Sequence, residues 1–298
     1  MPNIANPTKP SKYHLFIIGF YSLGFLLLFN SCITEDDQHT HNQAQDIVFD
    51  IYSKNVRDSF EIAVQLPLEY KENSHKKYPT IVLTDANFFY PMLAPILHQY
   101  ERGGLLPPLI LVGINYNSFE AMDSLRVRDY LYPEALPSDE MEAIGGGKSF
   151  FQFITEELIP KIDSSYRTNG SRTLLGHSFG GYFSLYALLE QLNQQKDHFN
   201  SFVSASPTLW YHNNYLFQLP QKLHQRQNED TLTLFLSVGG LEEPTWSIKP
   251  VKIFSKQLKN NNINHFVLNH LFYEPLDHMD VGLISFLQAL EVFYTKKE

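Results

Sequence analysis

Cysteine occurs once in the 298 residues, at Cys32, so no internal disulfide can form. Positive charge is sparse: the formal net charge is −9 and no dense Lys/Arg cluster appears anywhere along the chain. That excludes nucleic acid as a partner, because phosphate binding needs a basic face. The apolar run from Leu15 to Phe29 is broken by Gly19, Ser22 and Gly24, and falls short of the roughly 20 residues that a spanning helix needs. No internal repeat and no second linker are visible. With 43% hydrophobic and 18% charged residues the chain is too apolar for disorder, and long enough for one large α/β domain or two small ones.

The N-terminal run follows a short basic segment with Lys9 and Lys12, the order of a signal peptide. Its end, Leu28-Phe29-Asn30-Ser31-Cys32, resembles a bacterial lipoprotein cleavage box in Ser31 and Cys32 and departs from it in Phe29 and Asn30. The resemblance implies a removed segment 1–31 and a lipid on Cys32. Residues 32–45 are polar and read as a tether, leaving 46–298 as a single folded domain. The protein is then expected in the cell envelope, touching the membrane only through its lipid, on the periplasmic side or the outer surface. An uncleaved signal anchor, or a secreted protein with an incidental cysteine, is the alternative.

Beyond the tether, Phe49 and Ile51, then Ile62, Val64 and Leu66, alternate with polar neighbours, which predicts an antiparallel hairpin. Five short continuous apolar runs follow, at 80–83, 109–112, 173–175, 202–204 and 233–236, the pattern of strands buried on both faces. Helical spacing appears over Ser149–Tyr166, Gly181–Leu192 and Asp280–Tyr294. Strands alternating with helices predict an α/β fold of the α/β-hydrolase type, a mainly parallel central sheet with helices on both faces.

Gly176-His177-Ser178-Phe179-Gly180-Gly181 matches the G-x-S-x-G nucleophile elbow, with a strand before it and a helix after it. A serine on such a turn adopts a strained backbone, and its neighbours must be small. The helix beginning there aims free N–H groups at the reaction centre. Ser178 is therefore the candidate nucleophile, and the N–H of Phe179 a candidate oxyanion donor. The bland alternative is a glycine-rich turn that merely packs.

A serine hydroxyl needs a positioned base, and in this fold the chain order is Ser, acid, His. His224, His265, His270 and His278 follow Ser178 at suitable distances. His224 lies in a polar helical stretch, and His265 and His270 flank the apolar run 266–268 of a late strand. His278 sits in the loop before the last helix, where the base belongs. The turn Gly239-Gly240-Leu241-Glu242-Glu243 follows the preceding strand and offers two carboxylates. Glu242 is preferred, Glu243 is second, and a Ser–His dyad without an acid stays open. Asp277 and Asp280 read as a helix cap and a surface charge.

Several further segments resemble the esterase branch of α/β hydrolases that includes ferric-siderophore esterases, feruloyl and acetylxylan esterases and mycolyltransferases. They are Arg128-Asp129-Tyr130-Leu131-Tyr132-Pro133, Gly145-Gly146-Gly147, Tyr166-Arg167-Thr168, Ser206-Pro207-Thr208-Leu209-Trp210, Gly239 to Glu242, and Asp277-His278. Their order matches the siderophore-esterase subgroup. The resemblance implies a serine esterase with no cofactor and no metal, acting on a small-molecule ester such as a catecholate trilactone siderophore or a carbohydrate ester. It also implies a second oxyanion N–H from the loop Thr84-Asp85-Ala86-Asn87-Phe88, assigned to Asn87, although Ala86 stands where the family has glycine. An acyltransferase on the same fold and a non-catalytic surface binding protein are the competing readings.

Arg128 and Trp210 are candidate substrate contacts. Arg128 can equally pair with an acid to hold its loop, and Trp210 can equally cover the sheet edge. Gly145 to Ser149 ends like a phosphate-binding loop, but Glu142 occupies the first glycine position and no strand leads in. His39 and His41 lie close together in the polar tether without another ligand, which reads as solvated linker.

Overall fold

Residues alternate between two faces along each central strand, so Ile81 and Leu83 pack on one side of the sheet while Val82 packs on the other. Both sides are apolar, which is why these strands read as continuous hydrophobic runs. The computed structural model describes residues 46–260 and 263–295. The segment 1–31, Cys32, the tether with His39 and His41, and the last three residues lie outside the described residues.

The strands are β1 (Ile47–Ser53), β2 (Asp58–Gln65), β3 (Tyr78–Leu83), β4 (Ile110–Asn115), β5 (Thr168–His177), β6 (Ser201–Ala205), β7 (Leu232–Gly239) and β8 (Phe266–Tyr273). They form one sheet in the order β1-β2-β4-β3-β5-β6-β7-β8. The β1–β2 and β2–β4 pairs are antiparallel and every other pair is parallel. This is the α/β-hydrolase architecture. The hairpin expected from the alternation at 49–66 is β1 and β2, and each apolar run lies within a strand or, for 109–112, overlaps one.

Helices α1 (Ala86–Arg102) and α9 (His278–Tyr294) cover one face with Leu93, Ala94, Phe286 and Leu290. The opposite face is covered by α2 (Phe119–Tyr130), α3 (Gly147–Gln152), α4 (Ile159–Ser165), α5 (Phe179–Gln194), α7 (Leu219–His224) and α8 (Lys249–Asn260). The single turn α6 (Tyr211–Asn214) has His212, Asn213 and Asn214 in left-handed backbone. Helicity expected over Ser149–Tyr166 is present as α3 and α4 joined by a π-turn, Phe153–Leu158. Pro160, which follows that turn, has no N–H to give to the regular ladder. Among the described residues no helix is long and apolar enough to cross a membrane.

Parallel register brings the strand ends to one edge. Leu83 is level with Leu175, His177 with Ala205, Ala205 with Ser237, and Gly239 with Tyr273. The loops after β3, β5, β6, β7 and β8 therefore converge, and they lead to Asn87, Ser178, Trp210, Glu242 and His278, whereas Arg128 lies on α2, after β4.

Candidate active site

Ser178 sits between β5 and α5 with φ 59° and ψ −119°, a backbone conformation that costs a non-glycine residue about 1–3 kcal/mol. The strain is held by the strand on one side and the helix on the other. The Ser178 N–H donates to Ala205 O at 2.9 Å, and the Tyr182 N–H returns to Ser178 O at 2.9 Å. A Cβ at Gly176 would lie 1.9 Å from Gly180 O, so only glycine lets the chain double back so tightly. The Ser178 side chain does not cap α5. The N–H of Phe179, in the first turn, thus has no acceptor within the helix and is available to an oxyanion.

Asn87 lies in the first turn of α1 and its side chain is fully engaged. Nδ2 donates to Tyr116 O at 2.9 Å, and the Tyr116 N–H donates to Oδ1 at 2.8 Å. This bidentate clasp pins the start of α1 to the end of β4. The first helical bonds of α1 are made by the N–H groups of Phe88 and Phe89 to Asp85 O, so those of Ala86 and Asn87 precede them, as at any helix start. Asp85, the N-cap, has left-handed φ 51° and does not cap with its side chain.

That side chain instead takes part in a buried pair absent from the sequence reading. Arg126 of α2 donates from Nη2 to Asp85 Oδ2 at 2.8 Å and to His177 O at 3.3 Å. Its guanidinium also lies 5.3 Å from the Phe179 ring centroid. Tyr130 Oη accepts the Asp85 N–H at 3.0 Å. One arginine therefore ties the loop after β3 to the nucleophile elbow. Asp85 Oδ1 and Arg126 Nε are both buried without a hydrogen-bond partner in the protein, so the two groups are held by charge more than by full hydrogen bonding.

The loops after β7 and β8 cross at close range. A Cβ at Gly239 would lie 2.4 Å from Leu276 O, and the N–H groups of Gly240 and Leu241 donate to Tyr273 O and Leu276 O. This crossing brings Glu242 to His278: Oε2 lies 2.9 Å from Nδ1. Oε1 of Glu242 accepts from the Gly239 N–H at 2.7 Å and from the Ser206 hydroxyl. Burial alone would raise the Glu242 carboxyl, but these three hydrogen bonds outweigh it and hold the group below its ordinary range. A carboxylate can only accept, so the His278 proton sits on Nδ1 and the basic lone pair is on Nε2. Glu243, in contrast, is exposed and accepts the Trp246 N–H at the start of the next turn.

His278 is the first residue of α9, capped by Asp277, with Asp280 closing the capping box. Asp277 and Asp280 both serve the helix start. The His278 ring packs against that of His177, with centroids 4.7 Å apart, and His177 Nε2 lies 2.8 Å from His278 O. The base candidate is thus in contact with the residue preceding Ser178, although no hydrogen bond joins the Ser178 hydroxyl to His278. Such bonds are often long before substrate is bound. His265 precedes β8 at the far edge of the sheet, His270 lies within β8 and His224 ends α7.

Arg128 is committed elsewhere. Nε and Nη2 hold Asp129 at 2.8 and 2.9 Å, and Nη1 holds Asp58 of β2 at 2.7 Å. The Gly145–Gly147 run packs on the same segment, with the Gly146 N–H donating to Arg128 O and that of Gly147 to Leu131 O. It is a seat for that segment. Trp210 stands edge-on to Trp246, centroids 6.2 Å apart, and both line a cavity of about 390 Å³ with Asp139, Phe217 and Lys249.

The Esterase family model matches residues 53–279. Over 182 residues the chain is 34% identical to ferri-bacillibactin esterase BesA of Bacillus subtilis (strain 168), a stretch that covers 56% of this chain and 61% of that protein. The match spans less than two thirds of that relative's length. In three dimensions the chain is similar to an IroE-like serine hydrolase from Shewanella oneidensis (TM-score 0.72, 24% identity, 84% of this chain and 80% of the other). It is also similar to the BES protein from Bacillus cereus (TM-score 0.71, 24% identity, 84% and 96%). At those identities the likeness is one of fold.

Proposed function

The chain belongs to the Esterase family, and on that premise we propose that Ser178, His278 and Glu242 are the triad of a serine hydrolase that cleaves carboxylic esters. The carrying observation is the 2.9 Å contact of His278 Nδ1 with Glu242, made by a histidine whose ring rests on that of His177, next to the nucleophile. As Ser178 Oγ attacks the ester carbonyl carbon, His278 Nε2 takes its proton, and Glu242 stabilises the resulting imidazolium. The oxyanion accepts from the N–H groups of Phe179 and Asn87, which are fixed before substrate arrives. Collapse expels the alcohol, protonated by His278. Water, deprotonated by the same imidazole, then attacks the acyl-enzyme and releases the acid and free Ser178.

The substrate class we propose is the ester of a catecholate trilactone siderophore, supported by the 34% identity to a ferri-bacillibactin esterase. Turnover of ferric and iron-free catecholate trilactones, set beside feruloyl and acetyl sugars, tests this. Fastest cleavage of the trilactones is expected, and fastest cleavage of the sugar esters would overturn the substrate assignment. Supplying an acceptor alcohol in the same assay separates hydrolysis from acyl transfer. We also propose that Cys32 carries a lipid, on the strength of the cleavage-box resemblance.

A further inference from the structure

His177 fills one of the two variable positions of the elbow motif, and nothing in the proposed reaction uses its side chain. Its side chain is nevertheless among the most constrained polar groups near Ser178. It is 3% exposed, with Phe89 edge-on at 5.6 Å on one side and the His278 ring at 4.7 Å on the other. Gly282 of α9 leaves it room, since a Cβ there would approach His177 Cγ to 3.2 Å. Its Nε2 has one partner, the carbonyl oxygen of His278 at 2.8 Å. A carbonyl oxygen can only accept, so the imidazole proton is on Nε2 and His177 is the donor.

We propose that His177 is a positioning residue that holds the base from the nucleophile's own strand, its Nε2–H fixing the backbone of His278 at the start of α9. The proposal rests on the reading of Ser178 and His278 as nucleophile and base. The first residue of a helix is where fraying begins, and His278 must there present Nε2 to Ser178 while Nδ1 keeps Glu242. Glu242 controls the ring at one nitrogen, and His177 controls the main chain from which the ring hangs. Because His177 directly precedes Ser178, and its own carbonyl is held by Arg126 at 3.3 Å, any displacement of the elbow carries the base with it. The relative geometry of base and nucleophile is preserved, and a misplacement of about 1 Å there costs roughly 100-fold in rate.

The charged and titratable groups around His177 are His278, Arg126 and Glu242, and burial together with the first two keeps it neutral. When His278 accepts the Ser178 proton, the imidazole tilted against it therefore adds no second positive charge.

The test compares His177→Gln, whose amide nitrogen falls close to the position of Nε2, with His177→Phe and His177→Asn, which fill space or stay polar without reaching the carbonyl. kcat and KM are measured on p-nitrophenyl butyrate, with Ser178→Ala and His278→Ala alongside and folding checked by thermal melts. The expected result is a 10- to 100-fold fall in kcat for Phe and Asn, with KM within twofold of wild type, and Gln restoring kcat to within about fivefold. A folded Phe or Asn variant with wild-type kcat overturns the proposal, as does a Gln variant as slow as Phe. Should those variants not fold, 15N-histidine spectra of the wild type decide, because a His177 proton on Nδ1 contradicts the proposal and one on Nε2 supports it. Wild-type turnover by Ser178→Ala would sink the underlying reading instead, whatever the His177 variants do.

Discussion

Glu242 reaches His278 with one carboxylate oxygen, at 2.9 Å, and has its other oxygen bound by the Gly239 N–H and the Ser206 hydroxyl. Both oxygens are used, on a residue only 4% exposed. Glu243 next to it serves a turn. The arrangement separates two adjacent carboxylates into one held on the His278 ring and one that caps backbone.

Glu242→Gln is expected to lower kcat/KM by roughly 10³- to 10⁴-fold, because an amide nitrogen facing His278 favours the wrong tautomer. Glu243→Gln should stay within twofold. Steady-state kinetics on a common ester check both, and equal losses would mean that the acid has been misassigned.

The two arginines of α2 make separable predictions. Arg126→Met leaves Asp85 buried and unpaired, and should cost about 3–5 kcal/mol in urea unfolding together with a fall in kcat. Arg128→Ala removes the charge partner of the buried Asp129, leaving it only the Tyr116 hydroxyl, and should also destabilise, by roughly 3 kcal/mol, while KM for a common ester stays unchanged. A raised KM with unchanged stability would instead make Arg128 a substrate contact.

Burial, with His278 and Arg126 nearby, lowers the His177 imidazole from its usual 6.5 to about 3. Between those values the unfolded chain binds a proton that the folded chain refuses. Stability is therefore lost as pH falls from about 6.5 toward 3, by at most about 1.4 kcal/mol per pH unit from this group. His177→Gln lacks that proton uptake, so its stability relative to wild type should rise on acidification. Parallel pH profiles in denaturant titrations would contradict the burial of a neutral imidazole.

Cys32→Ala is expected to move the expressed protein from the membrane fraction to the soluble fraction, and to remove a lipid mass from the mature N-terminal peptide. Unchanged fractionation and unchanged peptide mass would overturn the lipid anchor.

The sheet was legible in the sequence because β3 to β7 are apolar on both faces, and because β1 and β2, the antiparallel hairpin at one side of the sheet, carry an alternating pattern. α1 was not, since Pro91 and Pro95 lie inside it and break the usual pattern of a helix. α2 buries only Met122, Asp129 and Tyr130, too few apolar residues to print a periodicity. α8 carries a regular stripe in Val251, Phe254 and Leu258, a signal that spacing alone could have found. At the site, the elbow and the His278 loop were readable as local motifs. The division of labour between Glu242 and Glu243 was not, because it depends on Gly239, Ser206 and His278 closing round one of them. Arg126 was invisible for the same reason: its partners Asp85 and His177 lie 41 and 51 residues away, and it lies outside the segment that begins at Arg128.

The most direct test of the central claim is covalent labelling by a fluorophosphonate, followed by mass mapping of the adduct. Wild type should carry one phosphonyl group on Ser178, Ser178→Ala should carry none, and His278→Ala should label far more slowly. An unlabelled wild type, or a Ser178→Ala variant labelled as fast as wild type, would contradict Ser178 as the activated nucleophile.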